Sequence, residues 1–246
     1  MAGPQPSPRR LRALLAMLAG CALACAGFVA LGVWQVERLA WKEALLARVQ
    51  HNVHADPMPA PGAGQWGGLG HDDEYRRMQV RGRMDDRQQV LVAATTELGV
   101  GYWVLTPVRT GQGAWLFVNR GFVPSELRHS VPPGPPDETT VVGLLRFSEP
   151  HGRLWQHNEP AAGRWYSRDV AAMAAARGLQ GPVAPFFLDA VAKPGAPPSW
   201  PRAGLTVLAF PNNHLAYAFT WFALAAMTAG AFVYVLRDAR RQRRPG

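Results

Sequence analysis

Cysteine is nearly absent from this chain of 246 residues: Cys21 and Cys25 are the only two. Both fall inside an apolar run, so the long polar segment that follows contains no thiol. That segment must fold without disulfides, even in an oxidising compartment, and it has no cysteine nucleophile. The two cysteines stand four apart, on one face of a helix. A metal or redox pair is one reading; two small residues at a helix contact, beside Gly20 and Ala24, is the simpler one. Charge is missing from two stretches. None occurs between Ala13 and Val36, which is 24 residues, and none from Leu215 to Leu236, which is 22. A 22-residue helix measures about 33 Å at about 1.5 Å per residue, enough to cross a hydrocarbon core of ~30 Å.

The charges that are present flank these runs. Arg9, Arg10 and Arg12 precede the first; Arg237, Arg240, Arg241, Arg243 and Arg244 follow the second. Basic flanks stay in the cytoplasm, so both termini are expected there and the intervening loop on the opposite side. The net charge of +9 and pI near 10.5 suggest a nucleic-acid binder at first sight. The two tails carry +7 of it, and residues 37–213, with 18 basic and 16 acidic side chains, only +2. The basicity is therefore a topology signal, with some attraction to the lipid bilayer, and no nucleic-acid partner is expected. A lipoprotein box, Leu18-Ala19-Gly20-Cys21, competes with the first span. Against it, Ala22 to Val33 stays apolar and Trp34 sits at interfacial depth.

The expected organisation is a basic cytoplasmic tail (1–12), a transmembrane helix (13–36), an outer domain (37–213), a second transmembrane helix (214–236) and a basic tail (237–246). The first helix is expected to run on to about Gln50, with Leu39, Leu45, Leu46 and Val49 on its apolar side. A Pro/Gly-rich loop follows, Asp56 to Gly70. Short strands are expected at Tyr75–Gly82, Gln89–Ala93, Gly101–Val108, Ala114–Val118, Thr139–Arg146, Phe186–Asp189 and Leu205–Phe210, with a hairpin turn at Gly111-Gln112-Gly113. Asp169 can cap a helix over Val170–Arg177 that Gly178 closes. The fold class is membrane α+β: two transmembrane helices flanking one mainly antiparallel β domain, a sheet or partly closed barrel, with a short helix. No internal repeat is evident.

Two motifs sit where the spans meet the outer side. In Gly32-x-Trp34-Gln35-x-x-Arg38-x-x-Trp41-Lys42, residues Trp34, Arg38 and Trp41 share a helix face at i, i+4, i+7. An aromatic belt with a snorkelling arginine explains the tryptophans. A site for an amphipathic ligand, with the arginine on its carboxylates, explains Arg38 as well. The counterpart is Pro211-Asn212-Asn213-His214-Leu215-x-Tyr217-Ala218-x-Thr220-Trp221. Pro211 stops the preceding strand, and Asn212 or Asn213 caps the helix. His214 lies in the first turn, where the helix dipole disfavours the imidazolium. Neutral imidazole is the form that ligates iron. His214, Tyr217 and Trp221 line one face that could cover a flat ring; an interfacial histidine satisfied by water is the plainer alternative. Small residues, Gly20 with Ala24 and Ala226 with Gly230, permit the two helices to pack and so gather both motifs.

These motifs resemble those of the Surfeit locus protein 1 family, the cytochrome c oxidase assembly factors. So do Tyr75-Arg76-x-x-x-Val80-x-Gly82, Gly101-Tyr102-x-Val104-x-Thr106-Pro107, Val118-Asn119-Arg120-Gly121-Phe122-Val123-Pro124, Gly143-x-Leu145-Arg146 and Pro185-Phe186-Phe187-Leu188-Asp189. The resemblance spans Gly32 to Trp221 in order. It departs at Phe122, where the family often has tryptophan, and in the long Pro/Gly loops. It implies a non-enzymatic role in maturing subunit I of a haem–copper oxidase, with subunit I and other assembly factors as partners. It implies that haem a is held transiently, its iron on the family's ligand histidine, which matches His214. Arg38 then neutralises a propionate, and Trp34, Trp41, Tyr217 and Trp221 form walls. Arginine outnumbers lysine 24 to 2 and no transit segment precedes the first span, which points to a bacterial inner (plasma) membrane.

Other chemistry finds little support. The serines lack a nucleophile-elbow context. His51-x-x-His54 and His71-Asp72-Asp73-Glu74 could bind a metal but read as solvated loops. Asn119-Arg120-Gly121 reads as a tight strand exit, either a turn with a paired arginine or a contact for a client or ligand. Three functions follow: a haem chaperone, a cofactor-free scaffold for a subunit I intermediate, and an anchored enzyme, for which no convergent acid–base set is found.

Overall fold

The computed structural model describes residues 8–150, 156–195, 197, 199–206 and 212–241. It divides into a helical unit (Met1–Leu46 with Ala209–Gly246) and a β unit (Ala47–Leu208).

The helical unit is built from two long helices, α1 (Pro8–His54) and α3 (His214–Arg241). Both are long and apolar enough to cross a membrane. The helices extend into both expected basic tails, α1 from Pro8 and α3 to Arg241; Arg243 and Arg244 lie outside the described residues. On α1 the less exposed positions recur as Cys21, Cys25, Phe28, Gly32 and Gln35. On α3 they recur as His214, Ala218, Trp221, Ala225 and Thr228. Spacings of four and three in alternation make a seam with a repeat of about 3.5 residues, the geometry of a left-handed helix pair. The helices meet antiparallel. Cys25 Sγ lies 3.6 Å from the Ala225 carbonyl oxygen, and Phe28 stacks on Trp221 at 5.8 Å between centroids. Gly32 makes the close approach, since a Cβ there would stand 2.6 Å from the Phe222 ring. Gly20, Ala24, Ala226 and Gly230 were the expected contact residues, and here the structure differs. Ala24 and Ala226 are exposed, and a Cβ on Gly20 or Gly230 would meet nothing within 4 Å. The outer faces carry Leu23, Val29, Leu31, Phe219, Met227 and Tyr234, a surface suited to lipid and not to water.

The β unit holds seven strands: β1 (Met58–Pro59), β2 (Arg77–Met84), β3 (Val90–Thr96), β4 (Gly99–Thr110), β5 (Trp115–Pro124), β6 (Thr139–Phe147) and β7 (Val183–Ala190). The sheet order is β1-β2-β6-β7-β5-β4-β3, and β2 also pairs with β4. That extra pairing closes β2, β6, β7, β5 and β4 into a five-stranded barrel. The sheet is mixed, because β5–β7 and β1–β2 are parallel. The long crossover from β5 to β7, which carries β6 and α2 (Val170–Ala176), makes the parallel pair possible.

Alternation sorts the strand residues between two cores. Met78, Val80, Val108, Leu116, Val118, Leu145, Ala184, Phe186 and Leu188 fill the barrel. The opposite faces of β5 and β7, with Phe117 and Phe187, pack against Val90, Val92, Trp165 and the Val170, Met173 and Ala174 side of α2. Asp169 caps α2 by accepting from the Ala172 N–H at 3.1 Å, and Gly178 follows with φ 60°. The Pro/Gly loop is ordered by two 3-10 turns and by Trp66, which donates to the Pro61 carbonyl and meets Phe186 edge-on. The strand expected over 205–210 is absent at Leu205 and Thr206, and residues 207–211, with Pro211, lie outside the described residues.

Asn119-Arg120-Gly121 is not a strand exit: β5 runs through it to Pro124. Gly121 has φ 128°, and a Cβ would sit 2.3 Å from the Arg202 backbone. Arg120 pairs with Asp86 and donates to the Pro132 carbonyl. Asn119 donates to Asp189 at 2.8 Å while its own oxygen accepts from the Gly121 N–H. The motif is thus committed to structure. Asp189 is 4% exposed. Its carboxylate also accepts from Thr206 at 3.2 Å and from Arg146 and Arg168, each at 3.5 Å. The two guanidiniums extend the network to Glu74 and Glu149.

Two outcomes follow from this network. Replacing Asp189 by Ala removes the buried acceptor shared by Asn119, Thr206, Arg146 and Arg168, leaves the two guanidiniums only Glu74 and Glu149, and should cost about 3 kcal/mol in denaturant unfolding of the full chain. Burial pushes the Glu149 carboxyl up, but the hydrogen bond and charge of Arg168, with Arg146, more than offset this and hold it below its ordinary range. A depressed carboxyl stabilises above its unfolded value, about 4.3, and loses that contribution as pH falls through the folded one. The melting temperature should therefore drop below about pH 5, and Glu149→Gln should make that drop shallower.

Candidate functional site

The site expected from the sequence lies in the helical unit, and it starts with how α3 begins. Asn212, not Asn213, lends its side chain: its Oδ1 accepts from the His214 N–H at 3.4 Å. The Asn213 carbonyl takes the first helical bond, from the Tyr217 N–H at 3.2 Å. The imidazole is thereby held in the first turn of α3, on the seam.

There it meets Gln35. His214 Nδ1 lies 2.7 Å from Gln35 Oε1. An amide oxygen only accepts, so Nδ1 carries the hydrogen and donates it. With the Gln35 amide in this orientation the ring is the Nδ1-protonated tautomer and Nε2 is its lone-pair nitrogen. A histidine whose second nitrogen donates to a carbonyl-type oxygen is fixed in orientation and tautomer. Gln35 itself is buried, so the pair also satisfies a polar group that would be costly alone.

The remaining expected residues divide between the seam and the flanks. Trp221 is on the seam, stacked on Phe28. Trp34, Arg38 and Trp41 form their own stripe, offset from Gln35 by one residue and hence by about 100° around α1. Trp34 and Trp41 are 51% and 54% exposed. The Arg38 guanidinium is exposed and sits 4.3 Å over the Trp41 ring. Tyr217, one residue from the seam position Ala218, is 55% exposed. The structure thus joins His214 and Trp221 to α1 through Gln35 and Phe28, and leaves Trp34, Arg38, Trp41 and Tyr217 on outward faces.

Gln35 escaped the sequence reading of the site. Its signal was there: it is the one strongly polar side chain in an otherwise apolar run, and such residues mark function by default. The two other candidate clusters are occupied elsewhere. Asp72 pairs with Arg48, Asp73 with Arg76 and Glu74 with Arg146, while His71 packs against Phe147. His54 bonds the Gln50 carbonyl within its own helix.

Comparison with known proteins covers both units. The SURF1 family model matches residues 22–226. Surfeit locus protein 1 of Homo sapiens is 32% identical over 224 residues, which span 81% of this chain and 70% of that protein. Surfeit locus protein 1 of Mus musculus is 32% identical over 221 residues, 81% of this chain and 69% of the relative. A SURF1-like protein of Monosiga brevicollis is 31% identical over 222 residues, 84% and 82% of the two chains. The matched span takes in Gln35, His214, the barrel and the Asp189 network, and on it this chain belongs to the SURF1 family.

Proposed function

We propose that this chain is an assembly factor for cytochrome c oxidase, and that it holds haem a transiently through His214 for insertion into subunit I. Membership of the SURF1 family supports the oxidase-assembly role. The observation that carries the finer reading is the Gln35–His214 bond, which orients the ring and leaves Nε2 as the lone-pair nitrogen for iron. Haem a would supply an iron that takes a neutral nitrogen and propionates that take a cationic partner. His214 would take the first role and Arg38 the second; Trp34, Trp41 and Tyr217 offer exposed aromatic faces, and Trp221, stacked on Phe28, offers its remaining one. A donor must release its cargo, so moderate affinity fits the role better than tight binding.

The arginine flanks support a bacterial inner membrane, both termini in the cytoplasm and the β unit on the periplasmic side. Subunit I and other assembly factors are the proposed partners.

One observation favours a second reading. The same Gln35–His214 bond serves as a plain interhelical clamp. Exposed Trp34, Trp41 and Tyr217 would then be interface anchors, and the protein a scaffold without cofactor.

The test is the absorption spectrum of the chain co-produced with the haem a synthesis enzymes. A Soret band shifted from free haem should appear in the parent and vanish in His214→Gln. No haem in either protein, with both inserted, would sink ligation by His214 and favour the scaffold. Gln35→Leu should retain the band but weaken haem affinity about 10–100-fold, the usual cost of losing a ligand's orienting partner. Unchanged affinity would reduce Gln35 to a packing role.

A further inference from the structure

Two of the arginines of the β unit that hold no carboxylate among the described residues, Arg128 and Arg177, line one cleft. Val90 and Val92 of β3 point into the second core, so Leu91 and Ala93 point the other way, in line with Gln89. These three form the floor of a cleft of about 300 Å³. Tyr102, Tyr166, Arg128, Arg164 and Arg177 are among its other lining residues, and no carboxylate is. Arg128 is exposed and stacks over the Tyr102 ring at 5.3 Å. Arg177 donates to the Gln89 carbonyl at 2.8 Å. Neither pairs with a carboxylate among the described residues. Arg164 bonds Glu159, which is outside the lining. Elsewhere in the unit, by contrast, the part-buried Arg120, Arg146 and Arg168 each hold a carboxylate.

We propose that this cleft binds an acidic, extended peptide segment of a partner protein. Charge complementarity selects the carboxylates, because Arg128 and Arg177, which hold no carboxylate among the described residues, and Arg164, already shared with Glu159, line a recess whose lining has no acidic residue. Leu91, Ala93 and the two tyrosine rings select a peptide over a bare oxyanion, since they offer contact area to the side chains between the acids. Alternate strand residues recur about every 6.6 Å, which matches the side-chain repeat of an extended ligand. Arg128 and Arg164 meet the ligand from exposed positions, so they set affinity without holding the fold. The proposal is independent of His214: haem binding can fail while peptide binding stands, and the reverse.

The test uses the full chain in lipid nanodiscs and a fluorescent peptide of about eight residues, alternating Glu with Leu at the strand repeat. Fluorescence anisotropy should report saturable binding that weakens with salt. A matched peptide with Gln in place of Glu should bind at least about tenfold more weakly. The double variant Arg128→Gln, Arg164→Gln should lose at least about tenfold in affinity for the Glu peptide while its melting temperature holds. Arg83→Gln, an exposed arginine outside the cleft, should bind like the parent. Equal binding of the two peptides, an equal loss in Arg83→Gln, or no binding up to about millimolar peptide would each overturn the proposal. Displacement by inorganic phosphate at similar concentration would also overturn it, in favour of a simple anion site.

Discussion

The β unit depends on one buried carboxylate being paired. Asp189 stands on β7, opposite Asn119 of β5 on one side and Leu144 of β6 on the other. Its neighbours along the strand, Leu188 and Phe187, face different cores. A slip of one residue in β7 would turn Phe186 and Leu188 out and Asp189 into the barrel beside Val80, Val118 and Leu145, an unpaired charge in an apolar interior. The donors from Asn119, Thr206, Arg146 and Arg168 are available only in the observed register. Burial of the charge therefore selects one arrangement of the strand that completes the barrel, and the parallel β5–β7 pair is held by polar chemistry as well as by the ladder.

The helical unit obeys a related constraint with different means. A buried amide and an imidazole have few partners in an apolar seam, so they take each other. The 3.5-residue repeat brings Gln35 and His214 to the same level, and Gly32 lets Phe222 close in one turn away. What results is an imidazole with one nitrogen donating and the other carrying the lone pair. The proposed ligation of iron would use that asymmetry, which arises in any case in a helix pair that has to satisfy both groups.

Arginine does different work in the two environments of the β unit. Around Asp189 and Glu149 the guanidiniums are spent on carboxylates, which makes that region rigid and electrically balanced. Beside β3, Arg128 and Arg177 are spent on an aromatic face and a backbone carbonyl, which leaves their charge to act outward. A domain with a small net charge can thus still present a local field, because pairing, and not the count of charges, decides where the field appears.

Several features were determined by the sequence alone. Two charge-free runs read as long apolar helices, and alternating apolar residues between turn signals as short strands, which held from β2 to β7 and not at Leu205 and Thr206. Asp169 and Gly178 bound α2 by local hydrogen bonding and backbone freedom, so they too were legible. The placement of His214 in a first turn followed from the Asn-Asn-His order. What the tertiary structure decided is phase and partnership. An all-apolar run has no preferred side, so only the presence of α3 selects Cys25, Phe28, Gly32 and Gln35, and not Gly20 or Ala24, as the contact stripe. Asn119-Arg120-Gly121 looks like a turn because its residues favour turns; it stays in β5 because Asp189, Asp86 and the Arg202 backbone, all distant in sequence, complete it. Closure of the barrel through β2 and β4, and the parallel crossover to β7, likewise rest on contacts between distant segments that no local pattern encodes.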